Sequence, residues 1–282
     1  PYILNHGTEK QKRAWLPGMC SGTIIGAIAM TEPGAGSDLA NIKTSAKRNK
    51  DTFVINGQKT FISNGHISDL VITACKTTPD VGAKGISLLV VLRDDEGFSR
   101  GRNLEKIGWH AQDTAELFYS DVEVTVDRMI GEENKGFTYL MQELAQERLI
   151  VAIRAATTIE AALEETIKYT KGREAFGKPL FSFQNTRFKL AEAKTNATVV
   201  RSFIDQCTSL HMTQSLDAND AAMAKLFATE TMCKVLDDCL QMYGGYGYMW
   251  EYPIARMWAG QRIARIAGGS SEIMKEIISR TL

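Results

Sequence analysis

Between Ile130 and Phe137 the chain changes its period, and that change limits what it can fold into. Upstream, short runs of β-type residues at 24–30, 53–55, 60–62, 70–74, 86–92 and 116–119 are parted by turn signals such as Asn56-Gly57, Asn64-Gly65 and Pro79-Asp80. Downstream, apolar residues recur at helical spacing over 137–171, 184–213, 217–243, 254–266 and 271–280, with Asp217 as a cap candidate. Strands that do not alternate with helices exclude a doubly wound sheet. The expected fold is α+β and multidomain: an antiparallel β-barrel or sandwich at 23–130, then a four-helix-type bundle at 131–282. Residues 1–22 read as the remnant of a preceding helical domain, with Thr8 as its cap candidate and Gly18 and Gly22 as breakers.

The first long helix carries an anomaly. At about 100° per residue, Leu140, Leu144, Glu147 and Val151 fall within about 60° of one another, so a carboxylate lies in the apolar stripe. Burial makes such a group costly and raises its pKa. It is a poised base, or half of an ion pair with Arg148 or Arg154.

Lys and Arg balance Asp and Glu at 33 each, which offers no basic face for nucleic acid or anionic membrane. The longest apolar runs are too short to span a bilayer. Five cysteines without a Cys-x-x-Cys pair suggest reduced thiols in an intracellular protein, and four dispersed histidines suggest no metal site. The chain opens at Pro1, which leads us to expect a piece of a longer protein whose front, with any targeting signal, is absent.

Several motifs have chemistry in reach. Met30-Thr-Glu-Pro-Gly-Ala-Gly-Ser-Asp38 ends a strand in a turn where Gly34 and Gly36 allow close backbone approach and Thr31 and Ser37 add hydroxyls. By spacing alone it is a tight turn, since the third glycine of a dinucleotide fingerprint is replaced by Leu39. Phe61 and Ser63 share one side of a strand and would suit one face of a flat cofactor or pack a core. Arg173 ends a helix, as a pyrophosphate fork or as a C-terminal charge. Gln241-Met-Tyr-Gly-Gly245 closes another, and Gly268-Gly-Ser-Ser-Glu272 opens the last.

In this order and spacing the motifs resemble the acyl-CoA dehydrogenase family over nearly the whole chain, apart from most of its first, helical domain. The resemblance implies a non-covalent FAD between the β domain and the bundle. Ile28, Ala29, Met30, Thr31, Gly36 and Ser37 would line its ring edge, with Phe61, Ile62 and Ser63 covering the hydride-accepting side. Ser270, Ser271 and Glu272 would lie near its ribityl and adenosine end. Arg173, Phe176, Gln184, Gln241, Met242, Tyr243, Gly244 and Gly245 would reach the FAD of a neighbouring subunit, implying a homo-oligomer, a dimer of dimers in the family norm.

Many members carry their catalytic carboxylate in the late turn, where this chain has Ala267-Gly-Gly-Ser270. Long-chain and isovaleryl-type members carry it on the first bundle helix before an arginine, here Glu147-Arg148, and the surrounding residues look most like the long-chain type. Ala267 and Ala145 depart from the pattern, at positions where a tyrosine and a proline are usual. The resemblance thus implies an FAD-dependent oxidoreductase that converts fatty acyl-CoA to trans-2-enoyl-CoA, as in β-oxidation, with Glu147 as base. Ser37, Thr138, Gln146, Arg148, Gly268 and Gly269 would be substrate contacts and an electron-transferring flavoprotein the acceptor. It places such a protein in the mitochondrial matrix of a eukaryote or the cytoplasm of a bacterium. An acyl-CoA oxidase or flavin monooxygenase on the same fold, or a non-catalytic fragment, are the rival readings.

Overall fold

The computed structural model describes residues 1–282. They divide into two compact units, 1–106 with 110–143, and 107–109 with 144–282. The division therefore falls inside the first long helix, thirteen residues or so beyond the expected boundary at 130/131, and the leading helices belong with the β unit.

The first unit opens with α1 (Tyr2–His6) and α2 (Glu9–Ser21). Thr8 caps α2 in a reciprocal box: its Oγ1 accepts from Gln11 N at 3.2 Å, and the Gln11 side chain accepts from Thr8 N at 2.8 Å. Gly18 lies within the helix, which stops instead at Gly22, φ +78°. Eight strands follow in one sheet: β1 (Gly26–Ala29), β2 (Ser45–Asn49), β3 (Thr52–Ser63), β4 (Leu70–Lys76), β5 (Ile86–Leu92), β6 (Phe98–Asn103), β7 (Thr114–Thr125) and β8 (Met129–Ile130). Their order is β6-β7-β3-β2-β4-β5-β8, with β1 paired to β4.

The sheet is antiparallel except where β1, and one bridge of β2, run parallel to β4, which amends the purely antiparallel expectation. β4 and β5 are buried on both faces, which explains their unbroken apolar runs. Val71, Cys75, Leu89 and Val91 face a core shared with Phe53, Ile55, Leu117 and Tyr119 of β3 and β7. Leu70, Ile72, Ile86 and Leu88 face a second core closed by Tyr2, Ile3, Trp15 and Leu140.

The second unit holds most of α3 (Gly136–Gly172), then a small hairpin of β9 (Glu174–Ala175) and β10 (Lys178–Pro179), α4 (Gln184–Met212), α5 (Ala218–Met242), α6 (Pro253–Gln261) and α7 (Ser271–Ser279). Asp217 caps α5 by accepting from Asp220 N at 2.7 Å, and Ser270 caps α7 by accepting from Ile273 N. The core of the bundle alternates small and large side chains, Ala152, Ala155, Ala193 and Ala228 among Ile159, Val200, Met232 and Leu236. No helix is long and apolar enough to cross a membrane.

Candidate active site

In the first unit the strand end after β1 is held from behind. The Glu32 carboxylate accepts from Lys43 N at 2.6 Å, Thr44 N at 2.9 Å and Lys59 Nζ at 2.9 Å, and Lys59 Nζ also donates to the Met30 carbonyl at 3.0 Å. Burial alone would raise the Glu32 pKa, but Lys59 and the two backbone donors outweigh it and hold the carboxyl below its ordinary value. The Met30–Thr31 segment is thus fixed by two buried charges that sequence reading passed over. A buried lysine between strand residues gives no periodic signal.

Thr60 N donates to the Thr31 carbonyl at 2.9 Å, bringing the two expected flavin motifs together. Next to this bond the β3–β7 register shifts between Lys59 and Ile62, and Phe61 sits at φ +59° with two thirds of its surface exposed. Ser63 is exposed on the same side and Ile62 is buried, as strand alternation predicts. A bulge that turns an aromatic ring outward is costly in backbone and in hydration. Gly34 and Gly36 have open space where a side chain would be, and Ser37 beside them is exposed.

In the second unit, α3 presents Glu147 and Arg148. Glu147 is half-buried; the fully buried carboxylate on this helix is Glu143, in the first unit, which accepts from Asn5 Nδ2 at 2.8 Å and lies 3.0 Å from His6 Nε2. The expected acid of the apolar stripe is therefore only half-buried, one turn after the buried Glu143. Arg148 is buried and donates through Nε to the Gly268 carbonyl at 3.4 Å. Burial lowers its pKa while the charge of Glu147 raises it. Arg154, weighed as a partner for Glu147, lies with its guanidinium 4.1 Å from the Trp109 ring centre, in the three-residue segment that joins the second unit.

Gly268 and Gly269 are both left-handed, φ +69° and +96°. A side chain at Gly268 would meet only Val151, at 3.9 Å, and Val151 stands one turn from Glu147 on the same face of α3. At Gly269 a Cβ would lie 2.7 Å from Met274 Cε. Arg148, Gly268 and Gly269 meet at one turn, with the Glu147 charge near enough to act on Arg148, and Lys225 of α5 reaches the same turn through a hydrogen bond from Nζ to the Gly269 carbonyl.

A second cluster in this unit joins Arg173, whose guanidinium lies 5.6 Å from the Tyr246 ring centre, to the Gly244–Tyr248 turn. Phe176 and Gly177 form the two-residue loop between β9 and β10, both left-handed, and Phe176 is almost fully exposed. Gln184, Gln241, Gly244 and Gly245 are exposed beside open space or solvent. Thr138 is exposed in the first unit, and Gln146 half-buried in the second.

Some expected contacts have side chains turned inward. Ala29 and Ile62 are core residues, and Tyr243 is buried in a stack on Tyr169 with ring centres 3.9 Å apart. Burial pushes the Tyr243 hydroxyl up to about 12. Ser271 is buried and donates to Glu230 at 2.6 Å. At these four positions only the backbone is left for a ligand. The hydroxyls and rings have internal partners that sequence spacing cannot reveal.

Residues 27–122 match the family model for the acyl-CoA dehydrogenase middle domain, and 134–282 that for its C-terminal domain. The chain belongs to the acyl-CoA dehydrogenase family. It is 50% identical to the mouse long-chain specific acyl-CoA dehydrogenase, mitochondrial, over 284 residues, covering all of this chain and 66% of that relative. It therefore spans a little under two thirds of the length of such relatives. The fold superposes on an acyl-CoA dehydrogenase from Geobacillus kaustophilus with a TM-score of 0.98 at 50% identity, over 100% of this chain and 74% of that one. A structure described as the electron transferring flavoprotein of Acidaminococcus fermentans matches at TM-score 0.96 and 35% identity, over 99% and 74%. Members of the acyl-CoA dehydrogenase family are FAD-binding flavoproteins. In the first unit, the outward Phe61 and the open backbone at Gly34 and Gly36 fit the edge of a large flat ligand.

Proposed function

We propose that this chain supplies the catalytic part of an acyl-CoA dehydrogenase acting on fatty acyl-CoA thioesters, with Glu147 as the base. The observation that carries this reading is the side-chain-free turn at Gly268: its only near neighbour in the space a Cβ would take is Val151, one turn from Glu147, and Arg148 anchors its carbonyl. An acyl chain laid over that turn would bring its reacting carbons to the carboxylate.

Glu147 takes the proton from the α-carbon as the hydrogen on the β-carbon leaves with its electron pair, and the double bond forms between the two. FAD, when bound, supplies the acceptor for that hydride. Met30, Thr31, Ser37, Phe61 and Ser63 are the residues of the first unit that would hold it, and Ser270 and Glu272 those of the second. The backbone donors of the turn and the buried Arg148 favour negative charge developing at the thioester oxygen. Glu147 is half-exposed in the chain alone, and bound acyl chain would complete its desolvation and so raise its basicity. The reading extends to an electron-transferring flavoprotein as acceptor, to a dimer of dimers sharing Arg173 and the Gly244–Gly245 turn, and, for a eukaryotic source, to the mitochondrial matrix.

The test is optical. Purified protein should carry an oxidised flavin spectrum that bleaches when palmitoyl-CoA is added without oxygen. Flavin present but unbleached by any straight-chain acyl-CoA would overturn the proposal. When the reduced protein is then exposed to air, release of peroxide in stoichiometric yield would mark an oxidase instead.

A further inference from the structure

Lys225 of α5 is fully buried and has no part in the chemistry proposed above. An ammonium group taken out of water is costly unless acceptors replace its hydration. Its Nζ donates to the Gly269 carbonyl, and Arg148 Nε donates to the carbonyl just before it, that of Gly268. Two basic side chains, one from α5 and one from α3, therefore grip consecutive carbonyls of a turn that has two left-handed residues in succession. Glycine gives such a turn its reach and also leaves its backbone less restrained than that of any residue with a side chain. On the far side the start of α7 is tied down as well: Glu230 of α5 accepts from Ser271 Oγ at 2.6 Å and from Arg265 Nε at 2.8 Å.

We propose that Lys225 is a positioning residue, whose ammonium clamps the Gly269 carbonyl so that the Gly268–Gly269 turn holds substrate at the right distance from Glu147. This rests on the reading of Glu147 and Gly268 given above. Misplacement by about 1 Å costs on the order of 10²-fold in rate, so a loosened turn reports on kcat before it reports on binding. The charged groups facing Lys225 are Arg148 on α3, Glu230 on α5 itself and Glu272 on α7, with Arg265 bound to Glu230. Burial and Arg148 push its pKa down, to about 8, against the pull of Glu230 and Glu272. A charge-assisted hydrogen bond is roughly twice as strong as a neutral one, so the clamp weakens as pH rises through that value.

The experiment compares the FAD-loaded protein with its Lys225→Met variant. Steady-state kinetics with palmitoyl-CoA are run from about pH 6.5 to 9.5, alongside amide hydrogen exchange of the 266–274 segment. The variant is expected to lose about tenfold or more in kcat with KM changed by less than about threefold. The wild-type kcat should decline on the alkaline side as pH passes about 8; the variant's kcat should lack that decline, and its 266–274 amides should exchange faster. A folded variant with wild-type kcat and unchanged exchange overturns the proposal. Should the variant not fold, the wild-type protein decides: protection of 266–274 that falls by about threefold or more between about pH 7 and 9 sustains the clamp, and constant protection overturns it. If the variant exchanges faster but the wild-type protein turns over no acyl-CoA, the proposed function fails and with it the catalytic purpose of the clamp.

Discussion

At the scale of single residues, three positions carry expectations that can be checked apart from one another. General-base catalysis contributes about 10²–10⁴-fold, so Glu147→Gln should lose at least about a hundredfold in kcat while its flavin spectrum stays intact; a variant keeping more than a tenth of wild-type turnover would show that another group takes the proton. Gly268 offers a complementary test. A carboxylate placed there in a Glu147→Gly background should recover part of the activity, because both positions border Val151 on the same side of α3. The recovery should be incomplete, since φ +69° costs a side chain roughly 1–2 kcal/mol. Absence of any recovery over Glu147→Gly alone would argue that the two positions do not reach the same carbon. Glu32 tests the support behind the strand end. Its folded pKa lies below its ordinary value of 4.5, so its contribution to stability is complete above that value and is lost as pH falls through the folded one. Glu32→Gln leaves Lys59 buried without its counter-charge and should cost about 3–5 kcal/mol in denaturant unfolding. The variant's stability should also change less than that of the wild-type protein as pH drops below 4.5.

At the scale of elements, legibility in the sequence followed whether an element is organised by a periodic stripe or by what it touches. The helices α3, α4, α5 and α7 were legible within a residue or two, because each carries an amphipathic repeat, and α5 and α7 begin at caps, Asp217 and Ser270. Strands β4 and β5 were legible from continuous apolar runs that two cores demand. Strands β2 and β6 were not: Ser45-Ala-Lys-Arg-Asn49 and Phe98-Ser-Arg-Gly-Arg-Asn103 are polar and exist because their neighbours offer hydrogen-bonding edges. Asn56-Gly57 reads as a turn but is a register shift inside the single long strand β3. Gly57 is needed there, at φ +150°, since a Cβ would lie 2.5 Å from Thr44 Oγ1. Of the candidate site, Glu147-Arg148 and the double glycine were visible as anomalies. The clamps formed by Lys59 and Lys225 were not, because they join residues far apart in sequence. The glycines separate the two kinds of constraint. Gly57→Ala should cost about 1–3 kcal/mol through overpacking. Gly36→Val meets nothing within 4 Å and has an ordinary φ, so it should leave unfolding of the flavin-free protein unchanged while weakening FAD retention. Equal flavin content in the two variants, measured by absorbance after gel filtration, would contradict the place given to Gly36.

For the whole molecule, several large aromatic side chains stand exposed on the second unit. Phe176 is 96% exposed, Tyr248 87% and Phe188 59%, all in the second unit, and Tyr246, Trp250 and Trp258 are also exposed. Scattered single apolar residues on a surface need no explanation. A left-handed phenylalanine at the tip of a hairpin is different, because backbone strain and lost hydration are both borne to keep that ring outside. Arg173 and the Gly244–Gly245 turn belong to the same unit, and these are the residues the family resemblance assigns to a neighbouring subunit's cofactor. We therefore expect an assembly larger than a monomer by light scattering, with flavin content tied to it. Phe176→Ser should relieve strain by about a kcal/mol or less in the isolated chain, since serine accepts φ +53° little better than phenylalanine. Its main effect should be to shift the assembly toward smaller species and to lower flavin occupancy in proportion. A Phe176→Ser protein that keeps wild-type mass and wild-type flavin would mean that the exposed ring serves neither contact, and the shared-cofactor arrangement would then have to rest on Arg173 and the Gly244–Gly245 turn.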